Sequence, residues 1–236
     1  MPFSVEVIES RLFAGVVADE LVASIQDIET EQEFCTIALA GGSTPAETYR
    51  LLSHPPRVNE INWPKLKLFL SDERWVPASD AQSNFKMIQE TLLARIPSNG
   101  WSVYQVDTSM KSPEEAARKY SELIRANLSL DSSGVPVFDI ILLGIGSDGH
   151  IASIFPGSKT FSESSSLFEV VPQPWDGNFR VTITPKLIMA ARRVIVIAKG
   201  KAKADIIKKV IEGNDSNLNL PGRLLMEHPG DVSYFV

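Results

Sequence analysis

The chain has 236 residues, enough to bury a substantial core, and α/β proteins of this length often form one domain. Hydrophobic residues make up 44% of it and charged residues 22%, an ordinary balance for a globular protein. The net charge of −6 argues against nucleic acid as a partner, although a few local cations would still hold a small anion. The start, MPFSVEVIESRL, has neither a basic n-region nor a long apolar h-region, and no apolar stretch reaches spanning length. No membrane partner and a cytoplasmic location are therefore expected. Cys35 is the only cysteine, which rules out an internal disulfide or a cysteine-rich metal cage; at the head of an apolar run it reads as a small core residue.

Taken in chain order, a helical pattern follows Ser10, and FCTIALA (34–40) reads as a strand. The next segment, GGSTPAETYRLL, reads as a tight glycine turn entering a helix, with Thr44 as N-cap, Pro45 at the first position and Glu47 completing a T-x-x-E box. Amides around Gly42, Ser43 and Thr44 would then face a phosphate; the alternative is a well-capped structural helix. LKLFLS (66–71) is a second strand, leading into Asp72-Glu73-Arg74. Adjacent residues there point in different directions, and Asp72 is the carboxylate expected to face a ligand. Helices are predicted from Ser83 to about Leu93 and from Ser112 to about Leu128, the latter with a capping-box start at Ser112-Pro113-Glu114-Glu115.

FDIILLG (138–144) is a third strand, and GIGSDGHIASIFPG follows it. Gly144, Gly146 and Gly149 satisfy G-x-G-x-x-G, but Pro156-Gly157 leaves no room for a long helix, and Asp148 would place a carboxylate where a pyrophosphate should sit. A nucleotide turn is thus disfavoured. His150 with Asp148 two residues before it offers a base and a carboxylate that fixes its tautomer; the alternative is a hydrogen-bonded loop histidine. Arg74, Arg180 in RVTITP and Lys203 in KGKAKADIIKKV are candidate phosphate contacts, against the plainer reading of solvated surface charges. RVIVIA (193–198) is a fourth strand, and a helix runs from Gly200 to Ile211 with Lys199, Lys201 and Lys203 at its exposed start, where the helix dipole disfavours cations and an anion partner is the alternative reading. His54 and His228, in proline-flanked loop sequence, have no catalytic role, and Trp75, Trp101 and Trp175 are structural. The continuous apolar runs alternating with helices predict a three-layer α/β domain over residues 1–236, with a mainly parallel central sheet and its ligand beyond the carboxyl ends of the strands.

Together, ALAGGSTPAETYRLL, FLSDERWVP with Ser83-Asn84-Phe85, and LLGIGSDGHIASIFPG closely resemble the 6-phosphogluconolactonases, and RVTITPKLI and VIVIAKGKAKADIIKKV extend the resemblance over roughly residues 10–225. It implies a Rossmann-like fold and hydrolysis of 6-phospho-D-glucono-1,5-lactone to 6-phosphogluconate, in the oxidative pentose phosphate pathway. It also implies His150 as base with Asp148 beside it, and substrate or phosphate contacts at Gly42, Ser43, Thr44, Asp72, Arg74, Arg180 and Lys203. No metal or organic cofactor is implied, the partner is a phosphorylated sugar lactone, and a monomer or weak homo-oligomer is expected. The related glucosamine-6-phosphate deaminases continue D-G-H-I-A with F-N-E-P, whereas this chain reads S-I-F-P, so Phe155 stands where they place a glutamate. The chain also departs from many lactonases in its short end, VSYFV.

Overall fold

The computed structural model describes residues 3–97, 100–160, 166–172, 178–213 and 219–236. Trp175 lies outside the described residues. Seven strands form the central sheet: β1 (Phe3–Glu6), β2 (Cys35–Leu39), β3 (Leu66–Leu70), β5 (Ser102–Tyr104), β6 (Ile140–Gly144), β9 (Arg193–Ile197) and β10 (Asp231–Phe235). Their order is β1-β10-β9-β6-β2-β3-β5, and every pairing is parallel. The four strands predicted from continuous apolar runs are its centre, because a parallel strand covered on both faces has no polar side to alternate with. VSYFV is most of β10, an interior strand between β1 and β9 rather than an edge.

Successive residues of each strand feed opposite faces of the sheet. Cys35, Ile37 and Leu39 of β2 and Leu66, Leu68 and Leu70 of β3 pack with Phe13, Val17, Leu21 and Ile25 of helix α1 (Phe13–Glu31). These four recur every four residues and form the one apolar stripe α1 needs. Tyr49 and Leu52 of α2 (Ser43–Leu52) join the same layer. Ala38, Phe69, Ile141, Leu143, Val194 and Val196 face the other way, onto Tyr120 and Ile124 of α4 (Pro113–Asn127), Leu187 and Ile188 of α5 (Pro185–Met189) and Ile206 and Val210 of α6 (Lys201–Glu212). The result is three layers, as predicted. Each fully buried aliphatic side chain contributes about 1.5–3 kcal/mol. The third predicted helix has the expected extent but not one geometry: α3 covers Asn84–Ile88 with Ser83 as N-cap and continues as one π-helical turn over Gln89–Leu93.

A second sheet was not anticipated. β4 (Asp72–Arg74), β8 (Phe179–Ile183) and β7 (Phe168–Pro172) form an antiparallel three-stranded sheet in the order β4-β8-β7. Ser71 joins the two sheets, donating its amide to Leu39 O and accepting that of Ile183. On the β4–β8 ladder Asp72 lies opposite Thr182 and Arg74 opposite Arg180, while Glu73 opposite Val181 belongs to the other face.

From β2 the chain moves through β3 to β5 in one direction, and from β6 through β9 to β10 in the other. The crevice between the carboxyl ends of β2 and β6 is therefore the topological switch point, where an open α/β sheet holds its ligand.

Candidate active site

The turn after β2 approaches α3 closely: a Cβ on Gly41 would lie 1.9 Å from Asn84 Oδ1. Gly42 then takes φ +97°, a left-handed value that favours glycine, and is itself the N-cap of α2. This corrects the predicted helix start. Thr44 is not the cap, Pro45 is the third helical residue, and no side chain closes a capping box. Glu47 instead accepts from Lys199 Nζ at 2.9 Å, which balances the negative charge beside the helix start. No side chain caps the start of α2, and Gly42, Ser43 and Thr44 line the crevice, an arrangement suited to an anion.

Beyond β3, Asp72 and Glu73 part company. Glu73 is 2% exposed and accepts from the amides of Arg74, Asn84 and Phe85 at 2.7, 2.7 and 2.8 Å and from Ser83 Oγ at 3.1 Å. It fastens α3 to β4, and burial pushes its carboxyl above the ordinary carboxylate range against the pull of those amides. Asp72 faces the crevice, with Oδ2 accepting from Ser153 Oγ at 2.6 Å and Oδ1 from Asn84 Nδ2 at 3.1 Å. The Arg74 guanidinium donates to Gln82 O at 2.6 Å.

After β6, residues 145–158 run as turns and isolated bridges with no long helix, as the early proline predicts. Gly146 N donates to His150 O at 2.8 Å and Gly149, at φ +84°, donates to Gly146 O at 3.0 Å, which curls the loop back on β6. His150 Nδ1 lies 2.6 Å from Asp148 Oδ1, and the same oxygen accepts the His150 amide at 3.2 Å. A carboxylate only accepts, so this partner assigns the proton to Nδ1 and leaves Nε2 as the acceptor nitrogen. The Phe155 ring centre is 5.0 Å from that of His150, tilted by 58°.

These elements enclose a cavity of about 270 Å³. Gly42, Ser43, Thr44, Asp72, Arg74, His150 and Lys203 all line it. Asp148 reaches it through the imidazole, and Arg180 stands behind Arg74 across the β4–β8 ladder. Lys203 Nζ donates to Ile145 O, and desolvation lowers its pKa while Asp148 opposes that shift. Of the lysines predicted to form an exposed helix start, only Lys201 is exposed; Lys199 and Lys203 line the cavity. His54 contacts Arg50 O, and the buried His228 contacts Ile188 O, both away from the crevice. The sequence reading did not find Ser153, Lys199 or the hydrogen-bonding role of Asn84. A serine in an apolar loop and a lysine at a helix start carry no distinguishing pattern, whereas Asn84 was visible as the residue after Ser83 in the motif following D-E-R.

Fold and crevice together define an α/β protein with a candidate site at its switch point, a helix start without a side-chain cap on one side and a carboxylate-oriented histidine on the other. A family model described as glucosamine-6-phosphate isomerases/6-phosphogluconolactonase matches residues 9–234, and the chain belongs to that family. It is 39% identical over 208 residues to a 6-phosphogluconolactonase of Treponema pallidum, covering 88% of this chain and 84% of that protein. Among solved structures, a 6-phosphogluconolactonase from Trypanosoma brucei superposes with a TM-score of 0.85 at 35% identity over 98% of this chain and 94% of that one. One from Thermotoga maritima gives 0.84 at 29% identity over 99% of both chains. A monomeric glucosamine-6-phosphate deaminase shares the fold, with a TM-score of 0.78 at 23% identity.

Proposed function

We propose that the chain hydrolyses 6-phospho-D-glucono-1,5-lactone to 6-phospho-D-gluconate, with His150 as general base. The observation that carries this reading is the 2.6 Å Asp148–His150 pair on the cavity wall across from the α2 start. Nε2 takes a proton from water as its oxygen attacks the lactone carbonyl carbon. The protonated imidazole, beside the Asp148 carboxylate, then returns the proton to the departing ring oxygen. The phosphate is held by the amides of Gly42, Ser43 and Thr44 and by Lys203, with Arg74 and Arg180 supporting it. Anchoring the phosphate fixes the carbonyl near the base and lowers the entropic part of the barrier. Asp72 accepts from sugar hydroxyls.

Phe155 disfavours the deaminase alternative, since a phenyl ring beside His150 transfers no proton. The chain acts as a monomer or weak homo-oligomer.

The test follows acid release from freshly generated 6-phosphogluconolactone against an enzyme-free blank, alongside ammonia release from glucosamine 6-phosphate. Acceleration of the first and none of the second is expected; no acceleration of lactone opening overturns the assignment. His150→Ala should lower turnover by about a hundredfold or more. Arg180→Ala should chiefly raise KM, and an unchanged KM removes Arg180 from the phosphate site.

A further inference from the structure

The histidine loop is tied to the small antiparallel sheet at one residue. Ser153 is 2% exposed; its amide donates to Thr182 Oγ1 at 3.0 Å and its hydroxyl to Asp72 Oδ2 at 2.6 Å. Asp72 and Thr182 are direct cross-strand partners, so both bonds of Ser153 end on one rung of the β4–β8 ladder. The residue before it, Ala152, has φ +47°, in the left-handed region that side chains other than glycine occupy only where their surroundings impose it. Two residues earlier is His150. Asp72 is braced from the far side by Asn84, whose amide packs on Gly41 at the glycine turn.

We infer that Ser153 is a positioning residue, which clamps the histidine loop to the Asp72–Thr182 rung, holds Ala152 left-handed and thereby keeps His150 aimed at the bound carbonyl. A hydroxyl–carboxylate bond at 2.6 Å is charge-assisted and stronger than a neutral one, so it sustains a strained neighbour. Ser153 stands where the F-N-E-P continuation of the deaminases has phenylalanine, a side chain with no proton to donate to Asp72. The clamp is thus a feature of the S-I-F-P version of the loop. Through Asp72 and Asn84 it also connects the base to the anion-binding turn, so the two ends of the substrate are gripped by parts that share one carboxylate.

This inference rests on the lactonase reading for its kinetic arm. Ser153→Ala removes the hydroxyl and leaves the amide bond to Thr182. It should lower kcat about tenfold, the cost of a misplaced catalytic group, and leave KM and the calorimetric Kd for 6-phosphogluconate within about twofold. The low-field proton resonance of His150 Nδ1–H, held by Asp148, should broaden or move upfield in the variant. Ser153→Cys keeps the volume with a weaker donor and should fall between the two, which serves as the test if the alanine variant does not fold. Wild-type kcat with an unchanged resonance in a folded variant overturns the clamp, as does a raised KM at constant kcat. If the parent protein fails to open the lactone, the function proposed above falls, while the resonance comparison still decides the clamp.

Discussion

Gly146 has no space for a side chain because the Asp148–His150 pair occupies it. A Cβ there would lie 2.1 Å from His150 Nδ1, 2.2 Å from Cε1 and 2.5 Å from Asp148 Oδ1. Gly146→Ala should therefore displace the imidazole and lower kcat at least about tenfold while thermal unfolding stays cooperative; turnover close to the parent's would mean that the loop relaxes without moving the base. Lys203 illustrates the opposite tension, a residue kept at some cost in stability. Desolvation lowers its folded pKa below the unfolded 10.5, so in the pH range below both values the folded state carries a penalty for holding the charge. Between the two values the unfolded chain binds more protons, and stability attributable to this group rises with pH. The stability of the parent relative to Lys203→Met should accordingly increase as pH is raised from 7 towards 10.5, read by thermal unfolding of both proteins. A flat difference would show that the ammonium bears no such penalty.

Individual elements differ in how far local sequence decides them. For α4 the N-cap half of the predicted capping box is realised: Ser112 Oγ accepts the Glu115 amide at 3.2 Å, with Pro113 at the first helical position and two acidic residues in the first turn. Ser112→Ala should cost about 1 kcal/mol of stability by denaturant titration and leave lactone turnover unchanged. The start of α2 was misread because its decisive contact is long-range. Glu47 had the right spacing for a capping box, but Lys199, 152 residues away, takes the carboxylate. The four central strands were legible as unbroken apolar runs, whereas β1, β5, β10 and the small sheet were not. β5 and β4 are three residues each, too short for a period to emerge, and Asp72-Glu73-Arg74 contains no apolar residue at all. The directions of its side chains were legible nonetheless: adjacent strand residues oppose each other, and Asp72 faces the crevice while Glu73 turns to α3.

For the molecule as a whole, the core on the α4 side is organised around aromatic rings. Phe69 stacks on Tyr104 at 4.6 Å and meets Phe138 edge-on at 5.2 Å. Phe69→Ala should cost about 3–5 kcal/mol, a large part of the stability of an ordinary domain, and denaturant unfolding that moved by less than about 1 kcal/mol would mean the cavity had collapsed. The three-layer fold and the position of the crevice followed from strand–helix alternation and the rule for strand ends. The precision of the site did not, because Ser153, Asn84 and Lys199 act through partners tens of residues away. The switch point has a consequence for synthesis. The glycine turn, Asp72 and Arg74 precede the loop near Asp131, while His150 and Lys203 follow it, after β6 and β9 on the opposite side of β2, and Arg180 follows it on β8 of the small sheet. A nascent chain emerging only that far holds one wall of the crevice without His150, and only the later arrival of β6 beside β2 brings the two walls together. Catalysis therefore reports that both flanks of the sheet have assembled, and two fragments divided at that loop should each be inert yet regain turnover when their association rebuilds the β2–β6 pairing.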